Sequence, residues 1–159
     1  MILYIKQHVF TFGDKFSVYD ESGNEKYYVE GEVFTFGKKF HLYDIRGNEV
    51  AFIEQKLFSF LPKFYISINE NTVAEVVKEF TFFKHEYTVN GPEWRVHGDF
   101  FDHEYEVTEN GYNTIAAVSK EWFTFGDAYE IRLGHNVDEV LALAVCIVID
   151  SCIEREKNN

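Results

Sequence analysis

Two imidazoles and three carboxylates fall within one short stretch, His97-Gly98-Asp99-Phe100-Phe101-Asp102-His103-Glu104. Histidine nitrogens and carboxylate oxygens are zinc ligands, so this stretch is the strongest candidate for chemistry in the chain. Strand side chains alternate between two faces, however, so at most part of the set could converge on one ion. Acidic residues are also common throughout a chain with 27 Asp plus Glu against 15 Lys plus Arg. We therefore interpret residues 97–104 as a solvated turn between two strands.

Other reactive side chains are scattered. The two cysteines, Cys146 and Cys152, lie in an apolar segment where a thiol acts as a small apolar side chain, and their spacing on a helix is too long for a disulfide. No phosphate-binding loop, nucleophile elbow or metal-binding helix motif is present in the sequence. We expect no catalytic, cofactor-binding or metal-binding residues and no enzyme activity. Surface or strand-flank positions are expected for the remaining histidines, which are His8, His41, His85 and His135.

Composition limits the class of protein. The chain has 159 residues, 46% of them hydrophobic, and a formal net charge of -12, which favours one folded domain over residues 1–159. An acidic surface repels phosphate backbones, so we expect no nucleic-acid partner. The N-terminus lacks the basic and apolar regions of a signal peptide. The longest apolar run, residues 140–149, has 10 residues, against the ~20 of a membrane-spanning helix. We therefore expect a cytoplasmic location.

A repeat organises most of the chain, and it has six copies when one degenerate copy near 99–102 is included. The longer string Tyr-Asp-x-x-Gly-Asn-Glu occurs at 19–25 and again at 43–49. The marker Phe-Thr-Phe-Gly, exact or in related form, stands at 10–13, 34–37, 58–61, 80–83 and 123–126.

Each copy predicts two β-strands, because apolar and polar residues alternate at period two between turns rich in Gly and Asn. We expect the longer strand of each copy to run into its Phe-Thr-Phe marker. The predicted strands cover 2–9, 15–19, 26–35, 39–43, 50–59, 64–68, 73–81, 85–89, 94–101, 104–107, 114–124 and 128–133.

A helix is predicted over residues 137–155, with an N-cap and acidic residues at its start. It is apolar on every side between Val140 and Ile149, so it must be surrounded by protein. Twelve strands ~4.8 Å apart and tilted by ~40° close into a barrel roughly 24 Å wide, which accommodates a helix and one layer of wall side chains. The predicted fold is mostly β, an antiparallel closed barrel of about twelve strands around a central C-terminal helix. We interpret the Phe-Thr-Phe markers as part of the barrel's closure.

Six two-stranded units followed by one apolar helix, with the repeated Phe-Thr-Phe-Gly and Tyr-Asp-x-x-Gly-Asn-Glu strings, resemble the LURP-one-related family in its compact bacterial, YxjI-like form. The resemblance covers the whole chain and implies a Tubby C-terminal-like fold, shared with the phospholipid scramblases. The family has no agreed catalytic residues. Tubby-like domains bind phosphoinositide head groups through a basic pocket, and scramblase-like relatives are associated with membranes and calcium.

Three functional classes stay open. The first choice is a non-enzymatic binding or scaffold module without a cofactor, whose protein partner and oligomeric state the sequence does not specify. The alternative is a membrane-surface or lipid-responsive protein. The net charge disfavours it, as does the lack of a Lys/Arg cluster beyond pairs such as Lys38-Lys39, so we expect anionic vesicles not to recruit the protein. The third class is a carboxylate- or metal-centred enzyme that uses residues 97–104.

Overall fold

The computed structural model describes residues 1–6, 15–32, 35–80, 85–123 and 126–157, which form twelve strands and one helix. In chain order these elements are β1 (Ile2–Lys6), β2 (Lys15–Tyr19), β3 (Glu25–Gly31), β4 (Lys39–Asp44), β5 (Glu49–Gln55), β6 (Lys63–Ile68), β7 (Asn71–Phe80), β8 (His85–Asn90), β9 (Trp94–Asp99), β10 (Glu104–Glu109), β11 (Asn113–Phe123), β12 (Gly126–Leu133) and α1 (Glu139–Lys157). Each strand pairs antiparallel with the next, and β1 pairs with β12 to close the barrel. The predicted fold class is confirmed.

The wall of the barrel follows the period-two pattern of the sequence. In β4, for example, Phe40 and Leu42 are buried while His41 and Tyr43 are partly exposed. The inward residues of the strands form one apolar core with the helix. Burial of apolar surface on this scale is the main stabilising contribution to such a fold.

Helix α1 occupies the lumen. Every residue from Leu141 to Ile149 is buried, as a helix without a polar face requires. Asp138 caps its start, because its carboxylate accepts a hydrogen bond from the Leu141 backbone N–H at 3.0 Å. The helix begins two residues later than predicted, because Asp138 is the N-cap and an N-cap residue lies outside the regular helix. No helix among the described residues is long and apolar enough to cross a membrane.

The duplicated Tyr-Asp-x-x-Gly-Asn-Glu strings form two equivalent turns. In each turn the Asp carboxylate accepts hydrogen bonds at 2.9 Å from the backbone N–H groups two and four residues later, as Asp20 does from Ser22 and Asn24. Asp44 makes the same pair of bonds one repeat later. The bond from the Asn24 N–H is the main cause of the lowered pKa of Asp20, whereas a further bond from the Asn48 side-chain amide is the main cause for Asp44. The string is therefore the sequence signature of a hairpin connection.

Several strands end sooner than the pattern predicted. Strand β3 ends at residue 31 rather than 35, and β5 ends at residue 55 rather than 59. Phe58 consequently lies in a loop, as do Phe36 and Phe60 beyond the predicted strands, and all three are exposed. The interpretation of the markers as barrel closure is wrong for these copies, because pairing between β1 and β12 closes the barrel. The marker at 10–13 and residues 81–83 and 124–125 lie outside the described residues.

Candidate functional site

The stretch 97–104 is a turn between β9 and β10, as predicted, but it is not entirely solvated. His97, Asp99, Asp102 and Glu104 are exposed, whereas His103 is only 1% exposed. The part of the chain that the structure describes contains no group of three or more His, Cys, Asp or Glu side chains placed to hold a metal ion.

His103 connects this turn to the central helix. Its ring stacks on Tyr129 with the centroids 4.5 Å apart, and its Nδ1 lies 3.2 Å from Asp150 Oδ1. Gly98 allows the turn to approach β10 closely, since a Cβ there would lie 2.5 Å from the Glu104 carbonyl oxygen. The expectation of a solvated turn is wrong for His103, whose contacts indicate a structural role.

The other histidines lie on the wall or in connections, where their positions are described. His41 on β4 lies between Glu32 and Glu49, with 2.8 Å separating each carboxylate oxygen from a ring nitrogen. Burial lowers the pKa of His41, but the two hydrogen bonds and charges outweigh it, so the pKa is raised above its ordinary value. His85 and His135 are exposed. His8 lies outside the described residues.

Both cysteines are buried and reduced. Burial raises the pKa of Cys146 to about 12, so its thiol stays protonated at neutral pH. The backbone carbonyl of Cys146 accepts a hydrogen bond from the Tyr105 hydroxyl at 3.3 Å. These contacts fit the expectation that the two thiols pack as apolar groups in the lumen.

The main exposed apolar surface lies at one end of the barrel. We call this the marker end, because every odd-numbered strand runs toward it and the described residues of the Phe-Thr-Phe markers lie in or beside its connections. The aromatic rim comprises five large apolar side chains on the connections between β3 and β6 and at the end of β7. They are Phe36 (86% exposed), Leu57 (44%), Phe58 (105%), Phe60 (97%) and Phe80 (67%).

Two hydrogen bonds between Lys38 and Gln55 connect neighbouring loops of the aromatic rim. Gln55 donates its N–H to the Lys38 carbonyl oxygen at 2.9 Å, and Lys38 donates its own N–H to the Gln55 side-chain oxygen at 3.0 Å. Gly37 lies against Leu57, whose Cδ2 would be 2.9 Å from a Cβ at position 37. The aromatic side chains are therefore presented on connected hairpin ends.

Phe58 has a backbone conformation that bulky residues rarely adopt. Its φ is 59°, in the left-handed region that Gly and Asn tolerate best. Its side chain is at the same time fully exposed, so no burial in the described structure offsets the cost of this conformation. Backbone strain of this kind concentrates at functional sites.

Lysines gather around the aromatic rim although they are far apart in the sequence. The opposite end carries acidic turns, with Asp20, Glu21, Asp44, Glu70 and Glu93 beside Arg46. The β9–β10 turn also makes its own side of the marker end acidic. The aromatic rim therefore lies on the β3–β8 side, where lysines alternate with the strand-end glutamates Glu30, Glu32, Glu54, Glu79 and Glu86. The lysines within or next to the marker end are Lys6, Lys15, Lys38, Lys39, Lys56, Lys63 and Lys78.

Sequence reasoning missed this surface, but a usable signal existed. In a meander, odd-numbered strands all end on the same side, so residues beside successive markers share one end of the barrel. Counting lysines by strand end, rather than along the chain, would have shown that most of them share the marker end.

The sequence is similar to known proteins over nearly its whole length. The family model for LURP-one-related proteins matches residues 1–150. The chain belongs to the LURP-one-related family. A relative in that family, the uncharacterized protein YxjI of Bacillus subtilis, is 36% identical over 156 residues, which cover 98% of this chain and 96% of YxjI.

The fold of this LURP-one-related chain is similar to that of a plant protein of known structure. The X-ray structure of a protein from Arabidopsis thaliana superposes with a TM-score of 0.67 and 14% sequence identity, covering 96% of this chain and 91% of the plant chain. At that identity the likeness establishes the fold alone.

Proposed function

We propose that the protein is a non-enzymatic binding module that docks on anionic membrane surfaces through the aromatic rim and its surrounding lysines. The observation that carries this proposal is the exposure of Phe36, Phe58 and Phe60 on hairpin ends at the lysine-rich end of the barrel. Aromatic side chains can enter the boundary between lipid head groups and acyl chains, while lysines stay at the level of the phosphates.

The net charge of -12 does not oppose this mode of docking. Helix α1 has 19 residues, which at ~1.5 Å each span about 28 Å between the two ends of the barrel. The Debye length at physiological salt is about 8 Å, so the acidic turns at the opposite end are screened from a bilayer touching the aromatic rim. The charges that matter are those of the docked face, where lysines lie beside strand-end glutamates.

The available interactions are large enough for measurable binding. A lysine near an anionic surface contributes about 1 kcal/mol, and full burial of a phenylalanine contributes about 1.5–3 kcal/mol. Two inserted rings and three lysines would supply roughly 6–9 kcal/mol, which corresponds to dissociation constants around the micromolar range. Anionic lipids are abundant on the cytoplasmic leaflet, so a cytoplasmic location is part of the proposal.

The alternatives have less support. Residues 97–104 hold exposed carboxylates around one buried histidine, and both cysteines are buried, which offers little to an enzyme mechanism. A protein partner could use the same aromatic surface. We favour the membrane because the apolar residues lie on loop ends with lysines near them, rather than on a flat strand face.

Flotation of the full chain with vesicles tests the proposal. Phosphatidylcholine vesicles with added phosphatidylglycerol should recruit the protein, and pure phosphatidylcholine vesicles should recruit much less. The double variant Phe58→Ser/Phe60→Ser should lose at least about tenfold in affinity, because two rings no longer insert. The matched control is Tyr112→Ser, since Tyr112 is 94% exposed at the opposite end.

Recruitment that is equal for the double variant and the wild type would contradict the proposal, as would no recruitment of the wild type. If Tyr112→Ser lost as much vesicle binding as the double variant, exposed aromatic residues at either end of the barrel would contribute equally. That result would contradict docking through the aromatic rim. Absence of vesicle binding together with a partner protein that requires Phe58 would favour the protein-binding class.

A further inference from the structure

A pocket of about 270 Å³ opens among the residues of the marker end. It lies between the wall strands β5 to β8 and the C-terminal part of the central helix, where Ser151 and Cys152 line it. Phe80, which belongs to the aromatic rim, also lines the pocket, so the cavity and the proposed docking surface are continuous.

The pocket is cationic in an acidic protein. Lys38, Lys78 and His85 line it, and none of the described lining residues is an Asp or Glu. Lys78 is 8% exposed and follows Ala74 and Val76 on the inward face of β7, a face that is otherwise apolar in the barrel. Burial lowers the pKa of Lys78 below its ordinary value, which means that an anionic group beside it would stabilise the charged form.

The rest of the lining is mostly apolar and includes Leu61, Pro62 and Phe64. A heavy atom of methylene or water size occupies about 30 Å³, so the cavity has room for about nine such atoms. Ser151 also offers a polar contact, because its buried hydroxyl has no hydrogen-bond partner within the part of the chain described. An unsatisfied buried hydroxyl of this kind needs an explanation, and a ligand oxygen would supply one.

We infer that this pocket binds one anionic amphiphile, an alkyl chain that ends in a carboxylate or a phosphate monoester, with the acid group beside Lys38 and Lys78. The methylenes nearest the acid group contact Phe64 and Phe80, and a longer chain continues onto the aromatic rim. The inference rests on the proposed function for the route of entry, since a docked rim places the pocket mouth at the lipid interface.

The same lysines have a structural alternative. Cations near the C-terminal end of a helix stabilise its dipole, and Lys38 Nζ lies 3.4 Å from the Ser151 carbonyl oxygen. If this were their whole role, replacing them would change the stability of the protein without changing the affinity for an amphiphile. Affinity and stability must therefore be measured on the same variants.

The test uses the full chain in solution without vesicles, so it can succeed or fail separately from membrane docking. Isothermal titration is carried out with decanoate and monodecyl phosphate below their critical micelle concentrations, and with decanol and inorganic phosphate as single-feature controls. We expect the two acids to bind at least tenfold more tightly than either control. That difference corresponds to about 1.4 kcal/mol.

Lys78→Met should weaken binding of both acids at least tenfold, and Lys38→Met should weaken it in the same direction. The second variant preserves the test if the first does not fold. The matched control is Lys15→Met, because Lys15 lies at the same end, pairs with Glu30 and does not line the pocket. Its affinity should equal that of the wild type.

No binding of either acid to the wild type would overturn the inference, and so would unchanged affinity in folded Lys78→Met and Lys38→Met proteins. Binding of decanol as tight as that of decanoate would show that the lysines do not recognise the acid group and would overturn the inference. Binding of inorganic phosphate as tight as that of monodecyl phosphate would show an anion site without an alkyl chain and would overturn the amphiphile assignment.

Discussion

Replacing Leu143 by Asp tests whether the central helix depends on complete burial. Leu143 is 0% exposed and lies within the run from Leu141 to Ile149, in which every residue is buried. The change removes the packing of a leucine side chain and places a carboxyl group among apolar side chains. We expect the native population to fall sharply.

Two contributions determine how much Leu143→Asp lowers the free energy of unfolding. Truncating a buried leucine costs about 2–5 kcal/mol, because transfer and cavity effects add. The new carboxyl group would become protonated rather than stay charged, and a buried polar group without a partner costs about 1–3 kcal/mol more. Since domains of this size are stable by about 5–15 kcal/mol, Leu143→Asp should use up most of that margin.

Urea unfolding followed by tryptophan fluorescence measures this effect, since Trp94 is buried in the wall. The matched control is Asp138→Ala, which should cost only about 1 kcal/mol through loss of the N-cap bond to Leu141. Leu143→Ala provides a measurable intermediate if Leu143→Asp does not fold. Equally small effects of Leu143→Asp and Asp138→Ala would refute the argument, because they would place Leu143 in contact with water.

Three further predictions concern single groups. Phe58→Asn should raise the free energy of unfolding by about 1 kcal/mol, because Asn tolerates the left-handed φ of 59°. The same substitution should weaken vesicle binding. A lower free energy of unfolding in urea would argue against backbone strain at this position. The raised pKa of His41 means that its ion pairs contribute stability fully below pH ~6.5 and lose it as pH rises through the folded pKa. His41→Gln should therefore destabilise the protein more at pH ~6 than at pH ~9, and a pH-independent difference would contradict this assignment. Cys146, which does not line the pocket, should react with a thiol reagent only as fast as the protein unfolds, and rapid labelling of Cys146 in the native protein would show an open lumen.

The architecture was predictable because each level of the sequence indicates the same fold. Period-two alternation in six repeats specifies the strands, and a helix without a polar face requires a lumen wide enough to hold it. The errors lie at element ends. The helix begins at Glu139 rather than at residue 137 because Asp138 is its N-cap, and periodicity does not report which residue caps a helix.

The contact between His103 and the helix could not be predicted from spacing. Its inward position depends on a φ of 55° at His103 and on the close approach of strands at Gly98. Both are features of turn geometry, and alternation along a strand says nothing about them. For a histidine in an extended strand, the alternation of its neighbours would have predicted its burial correctly.

The lysine-rich surface escaped sequence analysis for a different reason. Net charge is a sum over the whole chain, whereas a bilayer or a small ligand responds to charges within about one Debye length. Lys38 and Lys78 are forty residues apart in the sequence and line the same pocket, because the ends of β3 and β7 lie at the same end of the barrel.

The Phe-Thr-Phe markers show why alternation alone cannot locate a binding surface. A strand with Phe at every second position continues the period-two pattern into its loop, so the pattern does not distinguish a buried strand end from an exposed hairpin tip. Phe58 and Phe60 share that pattern with buried wall residues, yet they are 105% and 97% exposed. Folding alone would favour Gly or Asn at position 58 and polar side chains on both sites. An aromatic residue that is both strained and fully exposed therefore needs a cause outside the fold, and contact with a lipid surface supplies one.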